Sequence, residues 1–132
     1  MIVDANVLLR SLEDATGAHG KAVRARIQTA RASGERYTVL SATVLEVAFV
    51  LESSNAGFGW TREDVARAVE AIIDEPAFEV EHPGALRAAA GQYRRRSIDL
   101  HDCLIDAVAQ QRHTHALSFD RDLHKLGHAE RP

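Results

Sequence analysis

Residues 37–52 read YTVLSATVLEVAFVLE, a run that changes periodicity without a break. Tyr37 to Leu40 is β-branched and aromatic, the composition of a strand. Ser41 suits a helix N-cap, and the apolar residues behind it predict a helix to about Glu52. A strand feeding directly into a helix is half of a β–α unit. Upstream, Met1 to Val3 is a short apolar strand ending abruptly at Asp4, and Val7 to Leu9 open a helical turn. Ala18 to Ala32 forms a helix with Ala22, Val23, Ile27 and Ala30 on one side, closed by Gly34. Downstream, Ser53 to Trp60 (SSNAGFGW) has the composition of a loop. Thr61 with Asp64 resembles a capping box for a helix carrying Val65, Ala68, Val69, Ile72 and Ile73. Phe78 to Glu81 alternates as a short strand, and Pro83 opens a helix to about Arg95. Asp99 caps a helix from Leu100 to about Gln111. Ala116 to Phe119 is a last strand, followed by a short helix begun near Asp120. Strands alternating with helices predict an α/β layer fold with a largely parallel sheet, and nothing divides residues 1–132 into more than one domain.

Composition narrows the function classes. The chain has 132 residues, 45% of them hydrophobic, which suits one folded domain rather than a disordered segment. A single cysteine, Cys103, excludes an internal disulfide and predicts a reducing, cytoplasmic compartment; among apolar neighbours it reads as a buried small hydrophobe. No apolar run approaches the roughly 20 residues of a membrane span, because Glu46 interrupts the best stretch, Val44 to Leu51. No basic region precedes an apolar one at Met1, so no signal peptide is expected. With 16 Lys+Arg against 19 Asp+Glu and a formal net charge of −3, the chain is no cationic coat for nucleic acid.

The informative acids stand in unusual places. Asp4 follows an apolar strand, at the end where open parallel sheets place ligands, although Asp also caps helices there. Asn6 adds an amide that could orient a carboxylate or satisfy backbone. Glu46 lies within a helix apolar on nearly every side, where a charge needs a partner, a metal or an edge open to water. At 100° per residue, Asp99, Asp102, Asp106 and Gln110 share a narrow strip, and like charges at i,i+4 repel by roughly 0.2–0.5 kcal/mol unless a cation intervenes. The helix dipole accounts for Asp99 and Asp102 better than for Asp106. After the last strand, one of Asp120 and Asp122 caps the short helix and leaves the other free. Carboxylates from four segments suit a hard cation, Mg²⁺ or Mn²⁺, and such ions serve phosphodiester hydrolysis.

With these residues in hand, the sequence resembles the PIN-domain ribonucleases, specifically the VapC-type toxins of prokaryotic toxin–antitoxin pairs. The matching stretches are MIVDANVLL, SATVLEVAFVL, DLHDCLIDAVA and LSFDRDLHKL, in the family's order along nearly the whole chain. The resemblance implies a three-layer α/β/α sandwich around a central, mostly parallel sheet. It also implies Mg²⁺- or Mn²⁺-dependent cleavage of RNA, a cognate VapB-type antitoxin and a homodimer, with no membrane association. Asp4, Glu46, Asp102 and Asp120 correspond to the family's four acids, which bind the metal and carry catalysis. Asp4 and Asp102 are expected to hold it most directly, with Glu46 and Asp120 completing the site. Asn6 matches the polar position after the first acid, and Asp122 a second acid after the last strand, expected as a cap or supporting group. Asp106 departs from the family, which usually has a small apolar residue there; it either adds a ligand or faces solvent.

Other features are read more plainly. Arg94-Arg95-Arg96 suits a solvated helix end before an RNA contact. His113, His115, His124 and His128 read as surface histidines rather than a zinc site. Phe49, Phe58, Trp60 and Val65 belong either to the core or to a partner surface, and Ser53 to Trp60 either to a lid or to a connector. Two rival classes are an aspartate-dependent phosphatase, disfavoured because Asn6 stands where its second acid belongs, and a catalytically silent partner-binding domain.

Overall fold

The computed structural model describes residues 1–12, 17–55 and 58–132. Val3 donates its amide to Thr38 O and Thr38 donates to Met1 O, both at 2.9 Å, so the first apolar segment lies parallel beside β1 (Tyr37–Val39). On its other side β1 pairs in parallel with β2 (Phe78–Val80), in the register Tyr37↔Phe78 and Val39↔Val80. Thr38 bonds one way and its neighbours the other, which puts β1 in the middle. Asp4 carbonyl accepts from Val7 and Leu8, and α1 (Ala5–Leu12) follows at once.

The helices are α2 (Ala18–Ser33), α3 (Ser41–Glu52), α4 (Arg62–Asp74), α5 (Pro83–Arg95), α6 (Leu100–Gln111) and α7 (Arg121–Leu126). Several predicted boundaries rest on the expected chemistry. Gly34 ends α2 with φ 75°, a left-handed conformation that glycine adopts without strain. Thr61 Oγ1 accepts from Asp64 N at 3.2 Å to start α4, and Pro83 stands in the first turn of α5. Ser41 differs: Leu40 is the N-cap of α3, and the Ser41 hydroxyl and amide both donate to Glu81, at 2.7 and 3.2 Å. Those two bonds hold the Glu81 carboxyl below its ordinary pKa and tie the start of α3 to the end of β2.

The main core gathers Leu8, Val39, Val44, Leu51, Val65, Leu86 and Tyr93 from five elements, each at most 1% exposed. Full burial of one such side chain stabilises the fold by roughly 1.5–3 kcal/mol. Val65 is thus core, Phe58 and Trp60 pack partly against it, and Phe49 projects outward at 73% exposure. Arg62 fastens α4 to the turn before α6: its guanidinium lies 3.8 Å over the Tyr93 ring and donates to the Tyr93 and Ile98 carbonyls. Burial pushes the Tyr93 hydroxyl up to about 12 and the Cys103 thiol up to about 11, so Cys103 is the inert hydrophobe its neighbours predict.

The C-terminal part is built differently. β3 (Ala116–Leu117) pairs in parallel with β4 (Ala129–Glu130), a strand too short for its sequence to announce. This pair makes no ladder to β1 among the described residues, so the expected central sheet falls into two parallel pieces. α7 and β3 pack on α6. Part of the Ser53–Trp60 stretch, residues 56–57, lies outside the described residues.

Candidate active site

The acids of α6 and of the α7 turn lie near enough to influence one another electrostatically. Asp102, half-buried in the first turn of α6, has its carboxyl pushed up, first by loss of water and then by the charges of Asp120 and Asp99 and, more weakly, Asp122. His101 pulls it slightly the other way. Asp99 precedes the helix at the N-cap position without a side-chain cap bond, which leaves its carboxylate available. The sequence places Asp99 in the acidic strip but assigns it to the helix cap, and the structure shows it acting on Asp102 instead.

Asp120 is the cap of α7: its Oδ1 accepts from Asp122 N at 2.7 Å, and its own amide donates to Ser118 Oγ at 2.9 Å. The capping duty expected of Asp122 therefore falls to Asp120, while Asp122 pairs with Lys125 at 2.8 Å. A cap bond engages one carboxylate oxygen and fixes the direction of the other.

Asp4 and Asn6 are exposed at the head of α1, at the end of the Met1–Val3 segment. Glu46 is exposed as well, so of the alternatives open to it the structure shows the edge facing water. α3 buries Val44, Val47, Ala48 and Leu51 and turns Glu46 and Phe49 outward, and Glu46 has no ion-pair partner among the described residues. α1 packs on α3 and α3 on α6, which sets Asp4, Glu46 and Asp102 on successive elements. No hydrogen bond or ion pair joins Asp4 or Glu46 to the Asp102 group among the described residues.

Asp106, one turn beyond Asp102, does not face solvent, and its carboxylate is engaged by His128. It is 4% exposed, and its Oδ1 accepts from His128 N at 3.3 Å and His128 Nδ1 at 3.0 Å. His124 Nε2 donates to Ser118 O at 2.9 Å, so these two histidines brace the C-terminal segment, while His113 and His115 are exposed. Arg94 is not a solvated end: it pairs with Glu63 at 3.0 Å and with Glu70. Arg96 reaches Lys125 O at 3.3 Å.

Among the described residues, no three His, Cys, Asp or Glu side chains are gathered closely enough to hold one ion. The donor set still fits a hard cation. It is all oxygen, and Mg²⁺ takes only one or two carboxylates while keeping several waters. Mutual repulsion at Asp102 is the electrostatic condition that a cation relieves.

An α/β fold with acids at the end of a parallel strand and across two helices defines a class of nucleases. The PIN domain family matches residues 1–129. A VapC ribonuclease of Aquifex aeolicus (strain VF5) is 33% identical over 95 residues, covering 71% of this chain and 68% of the relative. The chain belongs to the PIN-domain family, in its VapC branch, and has that family's three-layer α/β/α architecture. No helix among the described residues is long and apolar enough to cross a membrane.

Proposed function

We propose that this chain is a metal-dependent endoribonuclease, the toxin of a toxin–antitoxin pair, folded as one domain over residues 1–132. The observation that carries this reading is the half-buried Asp102 carboxylate held among Asp120, Asp99 and Asp122, in a chain whose VapC relative is named a ribonuclease. Asp102 and Asp4 would hold Mg²⁺ or Mn²⁺ most directly, with Glu46 and Asp120 completing the site or orienting its waters. When bound, the cation supplies Lewis acidity to a water and to the phosphate oxygens of RNA.

The residues themselves then have distinct tasks. Asp120, with one oxygen spent on the α7 cap, presents the other in a fixed direction. Asn6, exposed beside Asp4, offers an amide to a water or carboxylate. Asp122 shares its charge with Lys125, which moderates the repulsion around Asp102. Arg96 and Arg121, both exposed, flank Asp99 and Asp120 in sequence and are the cations available for phosphate contact.

A cognate VapB-type antitoxin and a second copy of the chain are the partners this reading expects, in the cytoplasm. A groove of about 490 Å³ between α3 and α6, floored by Leu45, Leu104, Ile105 and Val108 and edged by Arg112, supports such docking. The test is cleavage of a mixed RNA substrate with Mg²⁺ or Mn²⁺. Asp102→Asn and Asp4→Asn are expected to lose at least 10²-fold in rate with circular dichroism unchanged. Wild-type rates in both variants would refute the assignment. A wild-type protein that binds Mn²⁺ yet cleaves no RNA would favour the silent partner-binding domain.

A further inference from the structure

We propose that Asp106 is a positioning residue: through His128 it fastens the segment bearing Asp120 and Asp122 to α6, the helix that carries Asp102. The proposal rests on the reading that Asp102 and Asp120 bind the cation.

Asp106 is a buried charged side chain with both of its bonds to one residue, His128. A carboxylate accepts only, so His128 Nδ1 carries the proton and donates, alongside the His128 amide. From there an unbroken series of bonds reaches the site. Ala116 N donates to His128 O at 2.8 Å and Ser118 N to Glu130 O at 2.9 Å, which locks β3 to β4. Ser118 Oγ accepts the Asp120 amide, and Ser118 O accepts from His124 Nε2, both at 2.9 Å. The Asp120 carboxylate stands at the end of that series.

Packing alone holds this segment lightly. Neither residue of β3 or of β4 is buried, Leu123 of α7 lies outside the main core cluster, and Leu126 touches that cluster only as a half-buried side chain. The two bonds from His128 to Asp106 therefore tie the segment to α6 one turn beyond Asp102. A small apolar residue at 106 would remove that tie. Loss of Asp106 lets the carboxylates separate, so a cation bridging them binds more weakly although none of its ligands has been removed.

The test is calorimetric titration of Mn²⁺ into the whole chain, beside metal-dependence curves for RNA cleavage. Asp106→Ala is expected to weaken Mn²⁺ binding about tenfold, the scale of outer-shell effects. Its KM for Mn²⁺ should rise to match, with kcat at saturating metal near wild type. Asp106→Asn keeps an acceptor oxygen and should restore affinity to within about threefold. If Asp106→Ala does not fold, His128→Ala removes the side-chain bond alone and should weaken binding roughly threefold. Wild-type affinity in Asp106→Ala, or in His128→Ala where that variant carries the test, overturns the proposal if Asp102→Asn loses binding in parallel. Wild-type affinity in Asp102→Asn overturns the metal-site reading itself, and the proposal with it.

Discussion

The two parallel strand pairs of this chain are held in different ways. β1 and β2 bury Tyr37, Val39, Phe78 and Val80 in the main core, whereas β3 and β4 bury none of their residues and lean on α6. The acids follow the same division: Asp4 leaves the strand beside β1, while Asp120 belongs to the lightly held segment. Asp102 stands on the helix that joins the two. The proposed site would span a firm part and a yielding part, so its geometry would depend on the specific bonds that set the second.

The largest expected difference is in stability. Leu86→Ala, at a fully buried position, should cost about 2–5 kcal/mol in urea unfolding. Leu123→Ala should shift the same transition by less than half as much, because the C-terminal segment can open without the main core. Equal shifts would erase the distinction. Amide exchange reads it without mutation: residues 116–117 and 129–130 should exchange about tenfold or more faster than residues 37–39 and 78–80. Within the firm part, Arg94→Ala breaks the pairs to Glu63 and Glu70, yet partial exposure should hold its cost to about 1 kcal/mol.

The smallest effect has an informative sign. The folded-state pKa of Asp102 is raised, so its contribution to stability is present below the unfolded value and lost as pH rises through the folded one. In metal-free protein at pH 7, Asp102→Asn should therefore raise Tm, by roughly 1–3 °C for like-charge relief of this size. The gain should vanish below about pH 4, where both forms are neutral. A lowered Tm at pH 7 would mean that Asp102 is stabilised by its surroundings.

Much of this architecture was legible in local chemistry. Gly34, Thr61 and Pro83 announce their boundaries because a left-handed turn, a side-chain cap and a fixed φ are properties of a few consecutive residues. Ser41 misled because its partner, Glu81, is 40 residues away. The alternatives at Glu46 stayed open in the sequence because an apolar helix need bury only one side, and here the exposed side includes Phe49. β4 is two residues long and has no periodicity to read. Asp102 and Asp120 are candidate ligands from their places in the sequence, and their electrostatic coupling agrees with that reading. The partner of Asp106 was not legible, because His128 lies 22 residues on in a strand connection that no pattern marks.

One measurement bears most directly on the claim that Asp102 is the centre of a cation site: thermal unfolding of wild type and Asp102→Asn at pH 7, with EDTA and with Mn²⁺. Without metal the variant should be the more stable. With Mn²⁺ the wild type should rise by several degrees and overtake a variant that hardly responds, because an ion bound to the folded state stabilises it in proportion to its affinity. Equal responses to Mn²⁺, or none in either protein, would contradict the account.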